Sequence, residues 1–402
     1  MRYRDIIYGP IDIPEEIWKL FGDPLLVRLR GISQAVLPVE MNPFATAANR
    51  FQHGVGVWHL ARRLCERSEF KHLDSLLPLA GLLHDAGSPP FSHTGEWFMR
   101  DAIGHDGETH LREVLRGTEL ASALEALGAD PERIADFVEG KAKPWSDLLN
   151  GSLDLDNLDN IRRFAASCGI PAKYDPLVLA ASFRVSPDGE AVALDAASRQ
   201  HLLEWHIARK GVYESVYDEP HLPLGMMLHR AIELAHLAGE LPQTFWRLTD
   251  QEAFQHLERC NEGTQALVRN VRRLQPYRLV AEWSGHDSLD IPWGDWRIRK
   301  AVGDEIAEFA GVQPGEACAY LGAGKDWRNV PLPFRDGDRL EFDPGGDSFP
   351  VYRIKIYLRR APSRLAKLAL RNLPEFCRLA ISHRMIRPIS LRPAAPIAPA
   401  GF

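Results

Sequence analysis

Hydrophobic residues through the first two thirds of this chain recur at spacings of three and four, the pattern of helices with one buried face. Positions 53, 57, 60 and 64 share such a face, and the last three are Val57, Leu60 and Leu64, so this helix turns His53 inward. Leu76, Leu77, Leu79, Ala80, Leu82 and Leu83 predict a helix buried on most sides, with Pro78 in its first turn. Gly87-Ser88-Pro89-Pro90 stops it just after His84-Asp85. Two helical segments between 14 and 35, the second opened by Pro24, precede a Pro-containing loop from Leu37 to Ala48. Helical pieces over 112–150, a helix capped by Ser152, a long one from about Ala197 to Val216, and amphipathic helices over 223–275 complete the core. Leu177 to Val185 and Ala191 to Leu194, joined by Ser186-Pro187-Asp188-Gly189, predict a β-hairpin.

From about residue 280 the texture changes, with Trp283, Trp293, Trp296 and Trp327 among many glycines and prolines. Tyr352-Arg353-Ile354-Lys355-Ile356-Tyr357-Leu358 alternates cleanly and predicts a half-buried strand. The expected fold is therefore mostly α: a helical core over 1–279 with a small β-hairpin, a smaller C-terminal α+β region over 280–391, and a flexible Pro/Ala tail over 392–402.

Composition narrows the class only a little. The chain has 402 residues, 45% hydrophobic and 25% charged, as an ordinary globular protein does. No run approaches 18 apolar residues and the start lacks an apolar signal segment, so no membrane span and no secretory leader are expected. Five widely spaced cysteines read as reduced thiols, which leads to an expectation of a cytoplasmic protein. Net charge is −6, yet residues 351–392 hold 11 Lys/Arg against the single acid Glu375. That segment could face phosphates, nucleic acid or an acidic subunit; a solvated helical face at Arg360, Arg364, Lys367 and Arg371 is the competing reading.

The candidate chemistry sits on the inward positions. A buried carboxylate beside an imidazole costs several kcal/mol unless paired, and a cation that both can ligate explains the His84-Asp85 pair beside inward His53. A later aspartate completes such a set; helical spacing aligns Asp154 with Leu158, Ile161 and Ala165. His59 falls on the polar side with Arg62, Arg63 and Glu66. Arg209, Tyr213 and Tyr217 repeat at four and share a face that could take a phosphate and stack on a base, or simply pack.

Several motifs run in order: residues 5–12, Arg28-Leu29-Arg30 with Gln34, Asn49 to His53, Ala80 to Gly87, Pro90-Phe91-Ser92-His93, Asp154 to Asp159, and Arg209 to Tyr217. Together, over roughly 1–275, they resemble the dNTP triphosphohydrolase branch of the HD superfamily of metal-dependent phosphohydrolases. That resemblance implies an HD-domain helical core, one divalent metal ion (Mn, Fe, Co, Ni, Zn or Mg) on His53, His84, Asp85 and Asp156, and hydrolysis of nucleoside triphosphates to nucleoside and tripolyphosphate. It implies that Gln34 approaches the sugar, that Arg50 and Arg209 meet the phosphates, and that Tyr217 belongs to the nucleotide site. The family's catalytic His-Glu-x-x-Ser pattern falls on His105-Asp106-Gly107-Glu108-Thr109, with Asp106 orienting His105 and His110 as runner-up. A homo-oligomer is expected by the same analogy.

The chain departs from the family pattern at several positions. Ser88 stands where relatives carry a histidine, while His93 is retained and could share the proton chemistry. Asn157 and Asn160 stand where relatives carry a lysine and a tyrosine against the phosphates and base, so Asn157 is expected among the substrate-binding residues, and Phe164 replaces a sugar-reading aspartate. Two alternatives follow: a phosphatase or phosphodiesterase on other phosphoesters, or a weakly catalytic, metal-bound nucleotide sensor.

Overall fold

The computed structural model describes residues 1–34, 48–151, 153–186, 189, 192–219, 221–285, 289, 291–322, 332–333, 339–340, 352–362 and 364–386. A small antiparallel ribbon, β1 (Arg2–Asp5) and β2 (Gly9–Asp12), leads into short helices α1 (Glu15–Leu20) and α2 (Pro24–Leu29). Then come α3 (Arg50–Cys65), α4 (Leu77–Leu83), α5 (His93–Ile103), α6 (Gly107–Leu115), α7 (Glu119–Ala126), α8 (Pro131–Val138) and α9 (Leu155–Cys168). A second set follows: α10 (Pro176–Ala181), the pair β3 (Phe183–Val185) and β4 (Val192–Leu194), α11 (Arg199–Val216), α12 (His221–Leu237), α13 (Asp250–Leu257) and α14 (Glu262–Arg272). The architecture is mostly α, as its periodicity predicts.

The centre of the core is α3. Val55, Val57, Leu60 and Leu64 are fully buried, and α4, α9 and α10 pack around them. Gly54 lets α4 approach so closely that a Cβ there would lie 2.7 Å from the Leu82 carbonyl oxygen. That approach brings the end of α4, and with it His84, over the buried side of α3.

The C-terminal region begins with β5 (Arg278–Gly285) and α15 (Trp296–Ala310), followed by β6 (Ala317–Gly322), β7 (Leu332–Pro333), β8 (Arg339–Leu340) and β9 (Tyr352–Leu358). Two helices, α16 (Arg364–Ala369) and α17 (Leu373–Ile386), end the described chain. In the sheet β5-β9-β6 all pairings are antiparallel and β9 is central. Ile354, Ile356 and Leu358 join Val302, Ile306, Leu373 and Cys377 in one apolar cluster. Tyr357, Tyr320 and Cys318 join a second cluster with Tyr217 and residues of α12 and α14, so apolar packing crosses the expected division at 279.

Three expectations are corrected. Strand β9 is covered on both faces: its alternating polar position Lys355 is buried, donates to the Tyr217 carbonyl at 3.3 Å and lies 3.8 Å from both Glu219 and Glu282. Leu177 to Ala181 is helical, because Pro176 opens α10 and the Asp175 carboxylate caps it through the Leu177 N–H; the hairpin keeps only β3 and β4. Asp154 is the side-chain cap of α9. Ser152, Pro187, Asp188 and the tail lie outside the described residues, as does most of the 37–48 loop. Among the basic residues of the 351–392 segment, Arg359 pairs with Glu316 and Arg384 with Glu305 and Glu308. Arg360, Arg364, Lys367 and Arg371 are exposed. No described helix is long and apolar enough to cross a membrane.

Candidate metal centre

Three elements converge beside α3. Asn49 caps that helix by accepting the Gln52 N–H, which fixes the first turn and aims His53 at the interior, where it is 1% exposed. The break after α4 presents His84 and Asp85, and the first turn of α9 presents Asp156. One ligand atom each from His53, His84 and Asp156 lies within 4.8 Å of the others. His53 Nε2 is 2.8 Å from Asp156 Oδ1 and 3.2 Å from His84 Nε2. Asp85 Oδ2 lies 3.4 Å from His84 Nε2.

The outward hydrogen bonds determine what the inner atoms can offer. His84 Nδ1 donates to the Gly81 carbonyl at 2.8 Å, and His53 Nδ1 donates to Asp159 Oδ2 at 2.7 Å. In each neutral ring that leaves the lone pair on Nε2, so two lone pairs face each other and two carboxylates. Asp85 Oδ2 is also buried with no hydrogen-bond partner. Such an arrangement asks for positive charge at its centre, and a divalent cation with nitrogen and oxygen ligands fits it. The same demand shows in the titration of His53: burial opposes its charge, yet hydrogen bonds to Asp156 and Asp159 push it up to about 10.

Behind the rings stands a support that sequence reading missed. Asp159 is fully buried and accepts a forked pair from Arg163, Nε at 2.8 Å and Nη2 at 2.9 Å, together with the Tyr8 hydroxyl at 2.8 Å. Arg163 also reaches Asp5 at 3.0 Å. Burial opposes the charge on Asp159, but Arg163 and His53 pull its pKa down to about 2. Gly56 leaves the room, since a Cβ there would sit 2.0 Å from Asp159 Oδ1. The signals were Asp159 one helical turn beyond Asp156 and four before Arg163, and the 5–12 motif that supplies Asp5 and Tyr8.

The other named residues separate into those near this cluster and those elsewhere. Arg50 is buried; Nη1 pairs with Asp85 Oδ1 and Nε donates to Ser92 Oγ at 2.9 Å, so it is a partner of Asp85. Ser88 Oγ lies 3.3 Å from the same oxygen. Gln34 donates to Asn160 Oδ1 at 3.0 Å, one turn along α9 from Asp156. Asn157 instead turns back to Asp154, donating at 2.9 Å through its side chain and 2.7 Å through its backbone. That explains why Asp154, which helical spacing selects, does not face the rings: its carboxylate caps its own helix. Phe164 is buried in the core.

His93 opens α5 at the surface, and its Nδ1 lies 2.9 Å from Glu96 Oε2. Glu96, a residue sequence reasoning passed over although it stands three beyond His93, is mostly buried; burial opposes its charge, but His93 and then Arg50 hold it below the usual carboxylate range. Asp106 does not orient His105. Its Oδ1 accepts the Thr109 N–H at 2.9 Å as the cap of α6, and Oδ2 accepts from Arg100 at 2.8 Å. His105 stacks near His110, ring centres 6.0 Å apart. His110 is 5% exposed, with Nδ1 3.1 Å from the Gly87 carbonyl, and opens onto a cavity of about 520 Å³ with Arg28, Ala86 and Trp246. No member of the metal-facing set lines that cavity.

Along α11, Arg209 lies over the Tyr213 ring at 4.6 Å, while Tyr217 is buried under Tyr320 and Arg353, each 5.4 Å away. The C-terminal sheet thus backs this stripe and covers its last ring.

Fold and site together define a helical protein with a His-His-Asp centre, buried at His53 and half-buried at His84 and Asp156, where α3, the end of α4 and α9 converge. The HD domain family matches residues 50–163, which contain all of that centre. An uncharacterized protein of Bacillus subtilis, YwfO, is 29% identical over 251 residues, covering 58% of this chain and 56% of its own length. The Dictyostelium discoideum protein described as a deoxynucleoside triphosphate triphosphohydrolase SAMHD1 homolog is 23% identical over 311 residues, 69% of this chain and 60% of its own. The Gallus gallus deoxynucleoside triphosphate triphosphohydrolase SAMHD1 is 36% identical over 452 aligned positions, 96% of this chain and 71% of its own. The chain belongs to the HD superfamily, in its deoxynucleoside triphosphate triphosphohydrolase-like branch. It spans little more than half the length of the Bacillus relative and three fifths of the Dictyostelium one.

Proposed function

We propose that this chain is a metal-dependent phosphohydrolase that cleaves deoxynucleoside triphosphates to nucleoside and tripolyphosphate. The observation that carries the reading is the pair of inward Nε2 atoms 3.2 Å apart, facing Asp156 and an unpartnered Asp85 oxygen. His53, His84, Asp85 and Asp156 would hold one divalent ion. The chemistry such an ion supplies when bound is Lewis-acid polarisation of a phosphate oxygen and acidification of a water.

The chain's own residues divide the remaining work. Asp159 and the Gly81 carbonyl keep both imidazoles in the tautomer that presents Nε2 inward. Arg50 holds Asp85 ionised against burial. His93, held by Glu96, is the proton donor to the leaving oxygen, and His105 is the second candidate. Gln34 with Asn160 forms the wall that meets the sugar, and Arg209 supplies positive charge for the phosphates. The arrangement as a homo-oligomer in the cytoplasm completes the reading.

Ser88 and Asn157 favour a second reading, a stepwise phosphatase, because neither offers a cation or imidazole to a triphosphate. Product chromatography separates the two. With Mn²⁺, four dNTPs and four NTPs, release of nucleoside plus intact tripolyphosphate, absent in a His84→Ala/Asp85→Ala control, supports the first. Successive loss of single phosphates overturns it in favour of the second.

A further inference from the structure

Two residues next to the centre hold backbone conformations that side chains disfavour: Phe91 has φ 62° and Ser92 φ 51°. Their hydrogen bonds show what they accomplish in that shape. Ser92 Oγ donates to the Ser33 carbonyl at 2.8 Å and receives Arg50 Nε at 2.9 Å, while the other arm of Arg50 pairs with Asp85. The orientation of Asp85 therefore passes through Ser92.

A carboxylate far along the chain holds both loops. Asp250, the first residue of α13, is 3% exposed; its Oδ1 accepts the Phe91 N–H at 2.7 Å and its Oδ2 accepts the Ser33 N–H at 2.8 Å. Its own N–H donates to the Gly31 carbonyl at 3.0 Å. The same stretch is tied a second time by Arg28, which donates to the Ser88 carbonyl at 2.7 Å and the Leu248 carbonyl at 3.0 Å. Asp250 is not needed to cap α13. Thr249 and Glu252 already do that through a reciprocal capping box. Both Asp250 oxygens are instead used on other parts of the fold.

We propose that Asp250 is a positioning residue of the candidate centre, clamping the Ser33 and Phe91 backbones so that Ser92 locks Arg50 onto Asp85 and Gln34 stands at the wall beside it. The proposal rests on the phosphohydrolase reading above. It lies outside the 50–163 segment that the HD family matches, so it ties the second half of the chain to the metal side of the first.

The test compares four proteins with the wild type: Asp250→Asn, Ser92→Ala, their double variant, and Glu252→Ala. Asparagine keeps the shape but sets an amide N–H₂ against one of the two backbone N–H groups. Removing an outer support of this kind costs about 10- to 100-fold in metal affinity or activity. The expected result for Asp250→Asn is a loss of that size in kcat or in Mn²⁺ affinity, with KM near that of the wild type. Glu252→Ala lowers the melting temperature by a similar amount and leaves kcat and Mn²⁺ affinity in place. The double variant is no worse than the poorer single, because both act through Arg50. Three outcomes overturn the clamp: Asp250→Asn within twofold of wild type, losses that follow melting temperature equally in Glu252→Ala, or full additivity in the double variant. A wild type that turns over no nucleotide counts against the phosphohydrolase reading alone. Mn²⁺ titration calorimetry then decides the clamp, since unchanged affinity in Asp250→Asn overturns it and weakened affinity supports it.

Discussion

His53 and His93, the proposed metal ligand and the proposed proton donor, are held in opposite ways. Behind His53 stands an unbroken series of partners: Asp159, then Arg163 and Tyr8, then Asp5. His93 has a 77% exposed side chain and one partner, Glu96. The His53 side is built into the core, while His93 stands at the surface, open to solvent.

The largest expected effect removes the proposed metal ligands. The His84→Ala/Asp85→Ala protein should lose Mn²⁺ binding and all turnover together, measured by calorimetry and product chromatography. Retained turnover without bound metal would erase the distinction between the two roles.

Next comes the proposed proton donor. His93→Ala should lower kcat by about 100-fold or more, the scale of a lost general acid, while Mn²⁺ affinity and melting temperature stay near wild type. His105→Ala, measured beside it, assigns the role: the larger kcat loss marks the donor. A fall in melting temperature for His93→Ala would show that His93 is as structural as the core.

The support behind His53 should behave in the reverse way. Asp159→Asn should weaken metal affinity or activity about 10- to 100-fold. It should also destabilise the fold by about 3–5 kcal/mol, because Arg163 is buried and keeps only Asp5 as an ionised partner. Denaturant unfolding and Mn²⁺ titration on one preparation check both parts. A change in affinity without a change in stability would mean that Asp159 tunes the ring and carries no load in the core.

The metal side was also the legible side, and for a physical reason. Burial leaves periodicity, and periodicity turned His53 inward; the apolar run around His84-Asp85 did the same for that pair. Asp156 needed the family resemblance, since helical spacing points to Asp154, whose carboxylate closes its own helix through Asn157. Asp159 was hidden because an aspartate four residues before an arginine reads as a common surface pair, and only the fold shows the pair facing an imidazole. Tyr217 and Lys355 were hidden by distance: Tyr320 on β6 and Lys355 on β9, which meet Tyr217, lie more than a hundred residues beyond α11. A histidine beside acids carries no period at all, so Asp106 read as a partner of His105.

Asp106 supplies the smallest effect and the finest test of the comparison. If it oriented His105, as its neighbouring position suggests, Asp106→Ala would lower kcat with the size of a catalytic loss. Its oxygens are occupied otherwise, on the Thr109 N–H and on Arg100. The expected result is therefore a loss of about 1 kcal/mol in stability, the worth of a helix cap. The exposed Arg100 pair adds little to that, and kcat should stay within about twofold, under 0.5 kcal/mol of barrier. Steady-state kinetics and denaturant unfolding of this one variant separate the two roles. A kcat loss near that of His105→Ala with unchanged stability would return Asp106 to the proton chemistry and give His105 a support like that behind His53.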